Sequence, residues 1–345
     1  MKNFSNKKVQ ELKKVINKQK FKKIFILSGT NSFYSSGAKE LLIKVIGDKK
    51  YFLFFKKSKV PEINELKKII LSINNYNPDL IIAIGGGAVL DYGKIANNLS
   101  KVSNIEKIII TGKKIDKKFR PLLAIPTTAG SGAEVTSNAV IYIKNIKYSV
   151  EGSSLLPDYY ILIPELVIGL KKDIKSAAGF DAISQSIESL LSKRSNKKSV
   201  YFAEKSLKLS IPNFISHIKK PNSHNTEKMC LAANLSGKAI SISKTTAPHA
   251  LSYPFTAHFG IKHGHAVSLT LNEFLKFNLE NITYSSCNFD LLQRYKLLFR
   301  LTKTKNINEL DAFIKKIKYD AGLENNFNKL GINLKSSFQK ILKGV

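Results

Sequence analysis

Four of the six histidines crowd into one stretch, APHALSYPFTAHFGIKHGHAV, as His249, His258, His263 and His265. Imidazole nitrogens ligate first-row transition metals, and such a site draws on a local supply of them. Upstream, AAGFDAISQSIESL sets Asp181 and Gln185 four residues apart, so that a helix turns both to one side. Glu188 follows at a compatible spacing but reads equally as a solvated carboxylate. An aspartate with two imidazoles forms a mixed O/N set suited to Fe2+ or Zn2+, and leaves a position open for a substrate oxygen. Such an ion polarises a carbonyl for hydride attack or lowers the pKa of an alcohol for the reverse reaction.

A second chemistry-bearing segment lies in LIIAIGGGAVLDYGK, where Gly85, Gly86 and Gly87 end an apolar run and precede a helical pattern. Side-chain-free backbone approaches a pyrophosphate closely, and a helix start offers it free N–H groups and a positive dipole. The spacing is neither GxGxxG nor a Walker A loop, so a bare strand-to-helix turn is the competing reading. A further loop, IPTTAGSGAEVTSNAVI, adds the hydroxyls of Thr127, Thr128, Ser131 and Thr136 as donors to phosphate or ribose.

The elements that must position these residues change character along the chain. Uninterrupted apolar runs at 23–28, 51–55, 80–85, 107–111 and 122–126 read as strands buried on both faces of a parallel sheet, with helices at Asn64–Tyr76 and Val89–Leu99 between them. From about Lys171 only helical periodicity remains, near 173–192, 196–218, 225–244, 264–278, 288–301, 307–320 and 334–343. The expected architecture is an α/β dinucleotide-binding domain over 1–166 and an all-α metal-binding domain over 167–345, with the boundary in Pro164–Lys172.

The chain has 345 residues and a formal charge of +31, which raises nucleic-acid or membrane binding as a reading. The distribution argues against both. Arginine is confined to Arg120, Arg194, Arg294 and Arg300, lysine is spread over every element, and no apolar run reaches membrane-span length. Cys230 and Cys287 sit in no metal or redox spacing and read as plain thiols of a reducing, cytoplasmic compartment.

Taken in order, GGGAVLDYGK, PTTAGSGAEVT, GFDAISQSIES and HALSYP…KHGHAV resemble the iron-containing (group III) alcohol dehydrogenase family, whose relatives include glycerol dehydrogenases and dehydroquinate synthases. The resemblance implies a cleft between the two domains in which the nicotinamide of NAD(H) or NADP(H) meets the metal, and a homodimer or larger assembly. Residue by residue, it implies pyrophosphate at Gly85–Gly87, with Asp91 and Lys94 in the helix behind, and Thr127, Thr128 and Ser131 along the phosphate and nicotinamide. It implies metal ligation by Asp181, His249 and His263. Gln185 stands where many members have a fourth, histidine ligand, so either its amide oxygen substitutes or three side chains and solvent hold the ion. Tyr253 stands where several relatives have a proton-transferring histidine, although tyrosine exchanges a proton poorly at neutral pH. Thr30 stands where NAD-preferring relatives place an aspartate, which opens the way to NADPH.

Within the family, SGTNSFYSSGA, DAISQSIES and SKTTAPHALSYP look most like the phosphonoacetaldehyde reductase (hydroxyethylphosphonate dehydrogenase) branch. There Lys244, with Thr245 and Thr246, would hold the anionic end of a small aldehyde or alcohol. Arg194 is a second anion candidate that reads equally as a solvated side chain. Three other readings stay open: a general alcohol, lactaldehyde or glycerol dehydrogenase; a lyase or cyclase of the dehydroquinate synthase kind; and a basic nucleic-acid-binding protein.

Overall fold

The computed structural model describes residues 4–18, 21–113, 116–144 and 146–342. It divides into two compact units, the first comprising the chain up to Thr128 and Ala133–Leu170, the second Ala129–Gly132 and the chain from Lys171.

The first unit runs α1 (Asn6–Lys18), β1 (Lys23–Gly29), α2 (Thr30–Ser35), α3 (Ala38–Ile46), β2 (Lys50–Lys56), α4 (Ile63–Tyr76), β3 (Leu80–Gly85), α5 (Gly87–Leu99), α6 (Ile105–Ile110), β4 (Leu122–Pro126), β5 (Asn138–Ile143), β6 (Ile146–Glu151) and β7 (Tyr159–Tyr160). Five strands form a parallel sheet in the order β2-β1-β3-β4-β7, and β5 and β6 pair separately as an antiparallel hairpin. Because successive strand residues face opposite ways, each central strand supplies two cores. Phe25, Leu27, Ile81, Ala83, Leu122 and Ala124 pack with α4 and α5, while Ile24, Ile26, Ile82, Ile84, Leu123 and Ile125 pack with α1 and α3. Helices on both faces explain why these strands read as continuous apolar runs.

The strand expected at 107–111 is instead part of helix α6. Ile105, Ile108 and Ile109 stand at i, i+3 and i+4 and pack on the core, whereas Ile110 is 52% exposed. That is a helical stripe, and alternation could not produce it. The strand beside β3 is β4, in register from Ile81↔Leu122 to Gly85↔Pro126.

The second unit is built from α7 (Lys172–Leu191), α8 (Lys197–Lys219), α9 (Ser223–Ser243), α10 (Ala247–Phe259), α11 (His263–Glu280), α12 (Leu291–Thr302), α13 (Ile307–Asp320) and α14 (Leu334–Leu342). Helix α7 is buried on nearly every side, so its polar groups must find partners inside the unit. Serines meet much of that need: Ser186 donates to Ser206, and Ser243 donates to Ser189. Two glycines set how closely the other helices approach α7. A Cβ on Gly264 would lie 2.0 Å from the Ala177 carbonyl oxygen and 2.7 Å from the Asp181 Cβ, and one on Gly179 would lie 2.7 Å from the Phe214 ring. The Ala129–Gly132 segment packs by the same device, with Gly132 against Ala233 and Gly237.

Candidate metal centre and nucleotide turn

Asp181 lies mid-way along α7, His249 in the first turn of α10 and His263 at the start of α11. Their ligand atoms lie within 4.8 Å of one another, and among the described residues this is the group of His, Cys, Asp and Glu side chains able to hold a metal ion. His249 Nε2 is 3.2 Å and His263 Nε2 3.8 Å from Asp181 Oδ1, with the imidazole rings edge to face at 5.2 Å. One carboxylate and two imidazoles converging on one point match the donor set of Fe2+ or Zn2+. Gly264 makes this convergence sterically feasible, since any side chain there would push His263 away from Asp181.

Glu188 is 2% exposed and bonded on both oxygens, which corrects the solvated reading. Its Oε1 accepts from His249 Nδ1, and its Oε2 accepts from the Thr246 backbone N–H at 2.7 Å and hydroxyl at 2.8 Å. With Nδ1 tied to the carboxylate, Nε2 is the nitrogen turned to the centre. Burial opposes charge on His249, but Glu188 and Asp181 outweigh it and push its pKa up to about 9, so ligation at Nε2 displaces a proton. His263 is oriented similarly by a 3.2 Å contact between its Nδ1 and the Ser252 hydroxyl.

The remaining candidates divide. Gln185 is buried one turn beyond Asp181, and its Oε1 accepts from Ser236 at 2.9 Å. Tyr253 lies nearly parallel to the His263 ring at 6.1 Å. His265 donates Nε2–H to the Glu324 carbonyl at 2.7 Å and stays outside the cluster, as does His258. Arg194 is exposed. Lys244 caps α9 with φ 60° and ψ 175°, a backbone region that only glycine enters freely. It is two residues from Thr246, and hence close along the chain to the Glu188–His249 pair.

In the first unit the sheet order has its switch point between β1 and β3, and open α/β sheets bind ligands at the carboxyl ends of the strands flanking such a point. Gly85 ends β3, Gly86 caps α5 with extended backbone, and Gly87 opens the helix. A Cβ on Gly85 would strike Val89 at 2.5 Å, so the turn is closed tightly by packing. Val89 and Leu90 donate to the Gly86 carbonyl, while the earlier N–H groups of α5 have no acceptor within the helix, as suits a pyrophosphate. Thr127 donates its backbone N–H to the Gly85 carbonyl at 2.9 Å, and the Thr128 side chain flanks Gly86. Thr30 is exposed at the end of β1, and Ser131 belongs to the segment grouped with the second unit.

Lys94 lies in α5, the helix behind the glycines. It is fully buried, with Nζ donating to the Thr136 hydroxyl at 2.7 Å and the Asn138 carbonyl at 2.9 Å, so it ties α5 to β5. Burial pulls its pKa down to about 8 against the charges of Asp91 and Glu134. Asp91 shares that interior, where burial pushes its pKa up to about 6 despite Lys94 and the Val140 backbone N–H.

Comparison with known proteins gives the family. Residues 3–164 match the family model described as iron-containing alcohol dehydrogenase, and residues 175–342 match the C-terminal model of the Fe-containing alcohol dehydrogenase family. The chain belongs to the iron-containing alcohol dehydrogenase family. Among relatives, it is 29% identical over 221 residues to 4-hydroxybutyrate dehydrogenase of Clostridium kluyveri, an alignment covering 63% of this chain and 59% of that one. It is 31% identical over 211 residues to phosphonoacetaldehyde reductase of Streptomyces viridochromogenes, covering 58% of this chain and 53% of the relative. The matched stretch thus spans little more than half of these relatives' lengths. Among solved structures, sulfoacetaldehyde reductase from Bifidobacterium kashiwanohense in complex with NAD+ superposes with a TM-score of 0.86 and 26% identity, covering 98% of this chain and 88% of that one. No helix among the described residues is long and apolar enough to cross a membrane.

Proposed function

We propose that this chain reduces a small anionic aldehyde, phosphonoacetaldehyde being the foremost candidate, to its primary alcohol with NAD(P)H and a divalent metal, Fe2+ in the first instance. The observation that carries the reading is the convergence of Asp181, His249 and His263 in a member of an iron-containing family.

When bound, the dinucleotide supplies hydride and the metal polarises the carbonyl oxygen. The chain's own contribution is positioning. Asp181 brings negative charge to the centre, Glu188 fixes the His249 ring, and the buried setting of both restricts competing water. Tyr253, alongside His263, offers a hydroxyl that could pass a proton to the product oxygen.

The anionic head group is supported by two observations. Lys244 carries an ammonium from a backbone conformation costing about 1–3 kcal/mol, which is retained only where surrounding structure and use hold it. In addition, three proteins this chain is similar to are named for substrates bearing a carboxylate, a phosphonate and a sulfonate. The counter-case is the 1-propanol dehydrogenase of Salmonella typhimurium, 31% identical over 221 residues, which is named for a neutral alcohol.

Steady-state reduction of phosphonoacetaldehyde beside propanal decides between the two. A kcat/KM at least tenfold higher for the anion is expected, and Tyr253→Phe should lower kcat and alter its pH profile. Equal or better use of propanal would overturn the anionic reading.

A further inference from the structure

The acceptor of the adenosine ribose is set by the same sheet reversal that places the glycine turn. With the pyrophosphate at Gly85–Gly87 on β3, the ribose falls toward the next strand, β1, whose carboxyl end is Gly29 followed by Thr30. A chain that reads the unphosphorylated ribose places a carboxylate there to accept from the 2′-hydroxyl. Here GTNSFYSS carries none.

A cation reaches the place instead. Lys56, the last residue of β2, is the register partner of Gly29, and its Cε lies 4.0 Å from where a Cβ on Gly29 would stand. The lysine stem therefore runs at ordinary contact distance beside the Gly29 position, at the carboxyl end of β1. Lys56 Nζ donates to the Ser58 carbonyl at 2.5 Å, and an ammonium has two further hydrogens to give. Partial burial lowers its pKa while the charge of Glu65 raises it, which describes an ammonium whose hydration is incomplete. Glu65 is itself occupied, accepting from the backbone N–H groups of Lys57 and Ser58 and from the Tyr92 hydroxyl.

We propose that the first unit selects NADPH over NADH and that Lys56 is the residue that reads the 2′-phosphate, with Gly29 and Thr30 leaving the space for it. The proposal rests on the reading of this unit as dinucleotide-binding and is independent of the aldehyde. A phosphate brings close to two negative charges where NADH has a neutral hydroxyl, so the ammonium discriminates by charge and by charge-assisted hydrogen bonding.

The test is direct binding, by calorimetric titration of the full-length protein with NADPH and NADH, without substrate. The wild type should bind NADPH at least tenfold more tightly. Lys56→Met keeps the stem and should weaken NADPH by about tenfold while leaving NADH within twofold, and Lys56→Arg should retain the preference. Equal or tighter binding of NADH by the wild type, or an unchanged ratio in Lys56→Met, overturns the proposal. Binding of neither nucleotide overturns the dinucleotide reading itself, and the NADH titration of Lys56→Met serves as the control for folding.

Discussion

Replacing Glu188 by Gln is the substitution that most sharply separates a metal centre from a merely buried polar cluster. The carboxylate has three donors on its two oxygens: His249 Nδ1–H, and the Thr246 N–H and hydroxyl at 2.7 and 2.8 Å. A glutamine has one acceptor oxygen, so its amide N–H group must face either the imidazole N–H or the Thr246 donors. If the amide turns to the imidazole, Nδ1 must give up its proton, the other tautomer forms, and Nε2 carries the hydrogen where a lone pair is needed. Loss of an outer carboxylate of this kind typically costs about 10–100-fold in metal affinity, or roughly 1.4–2.8 kcal/mol. Competition between protein and a chelator for Fe2+ under anaerobic conditions measures it, with circular dichroism checking that the helical unit is intact. Glu188→Gln that folds and binds iron within twofold of wild type would refute the reasoning.

Other substitutions probe the scaffold. Gly264→Ala should destabilise the second unit by about 1–3 kcal/mol in denaturant unfolding and weaken metal binding, because its methyl would meet the Ala177 carbonyl oxygen and the Asp181 Cβ. Lys244→Gly should do the opposite to stability, relieving about 1–3 kcal/mol of backbone strain less the entropy glycine adds to the unfolded chain, while raising KM for phosphonoacetaldehyde and sparing propanal. His217 is buried against Thr226, and burial together with the Lys175 charge pulls its pKa from 6.5 down to about 4. The unfolded chain therefore binds a proton that the folded one refuses, so about 3 kcal/mol present above pH 6.5 is lost as pH falls through 4. His217→Gln should flatten that part of the stability profile in urea titrations across this range.

The fold class was legible because layer structure is written in periodicity: β1, β3 and β4 read as uniform apolar runs, and the helical half shows no such runs. Elements escaped where local composition masks the period. Helix α10 carries Pro248 and Pro254 and so reads as a loop, yet it holds His249 and Tyr253. The Ile-rich run at α6 mimics a strand because four isoleucines in six residues hide which face is covered. Donor types made Asp181 and the cluster of four histidines visible, and the family resemblance singled out His249 and His263 among them. Glu188 and Gly264 were invisible in their roles, because one depends on which ring nitrogen it meets and the other on which helix crosses it. The bonds of Lys94 to Thr136 and Asn138 were equally hidden, because they depend on how β5 folds back against α5.

The central claim is that one metal ion held by Asp181, His249 and His263 is required for aldehyde reduction. Fe2+ titrated anaerobically into metal-stripped protein, with aldehyde-dependent loss of reduced nicotinamide absorbance followed at each step, tests it most directly. The rate should rise in proportion to bound iron and level off at one ion per chain, and His263→Ala should neither bind that ion nor turn over. Full activity in the metal-stripped protein, or equal iron binding by folded His263→Ala, would contradict the account.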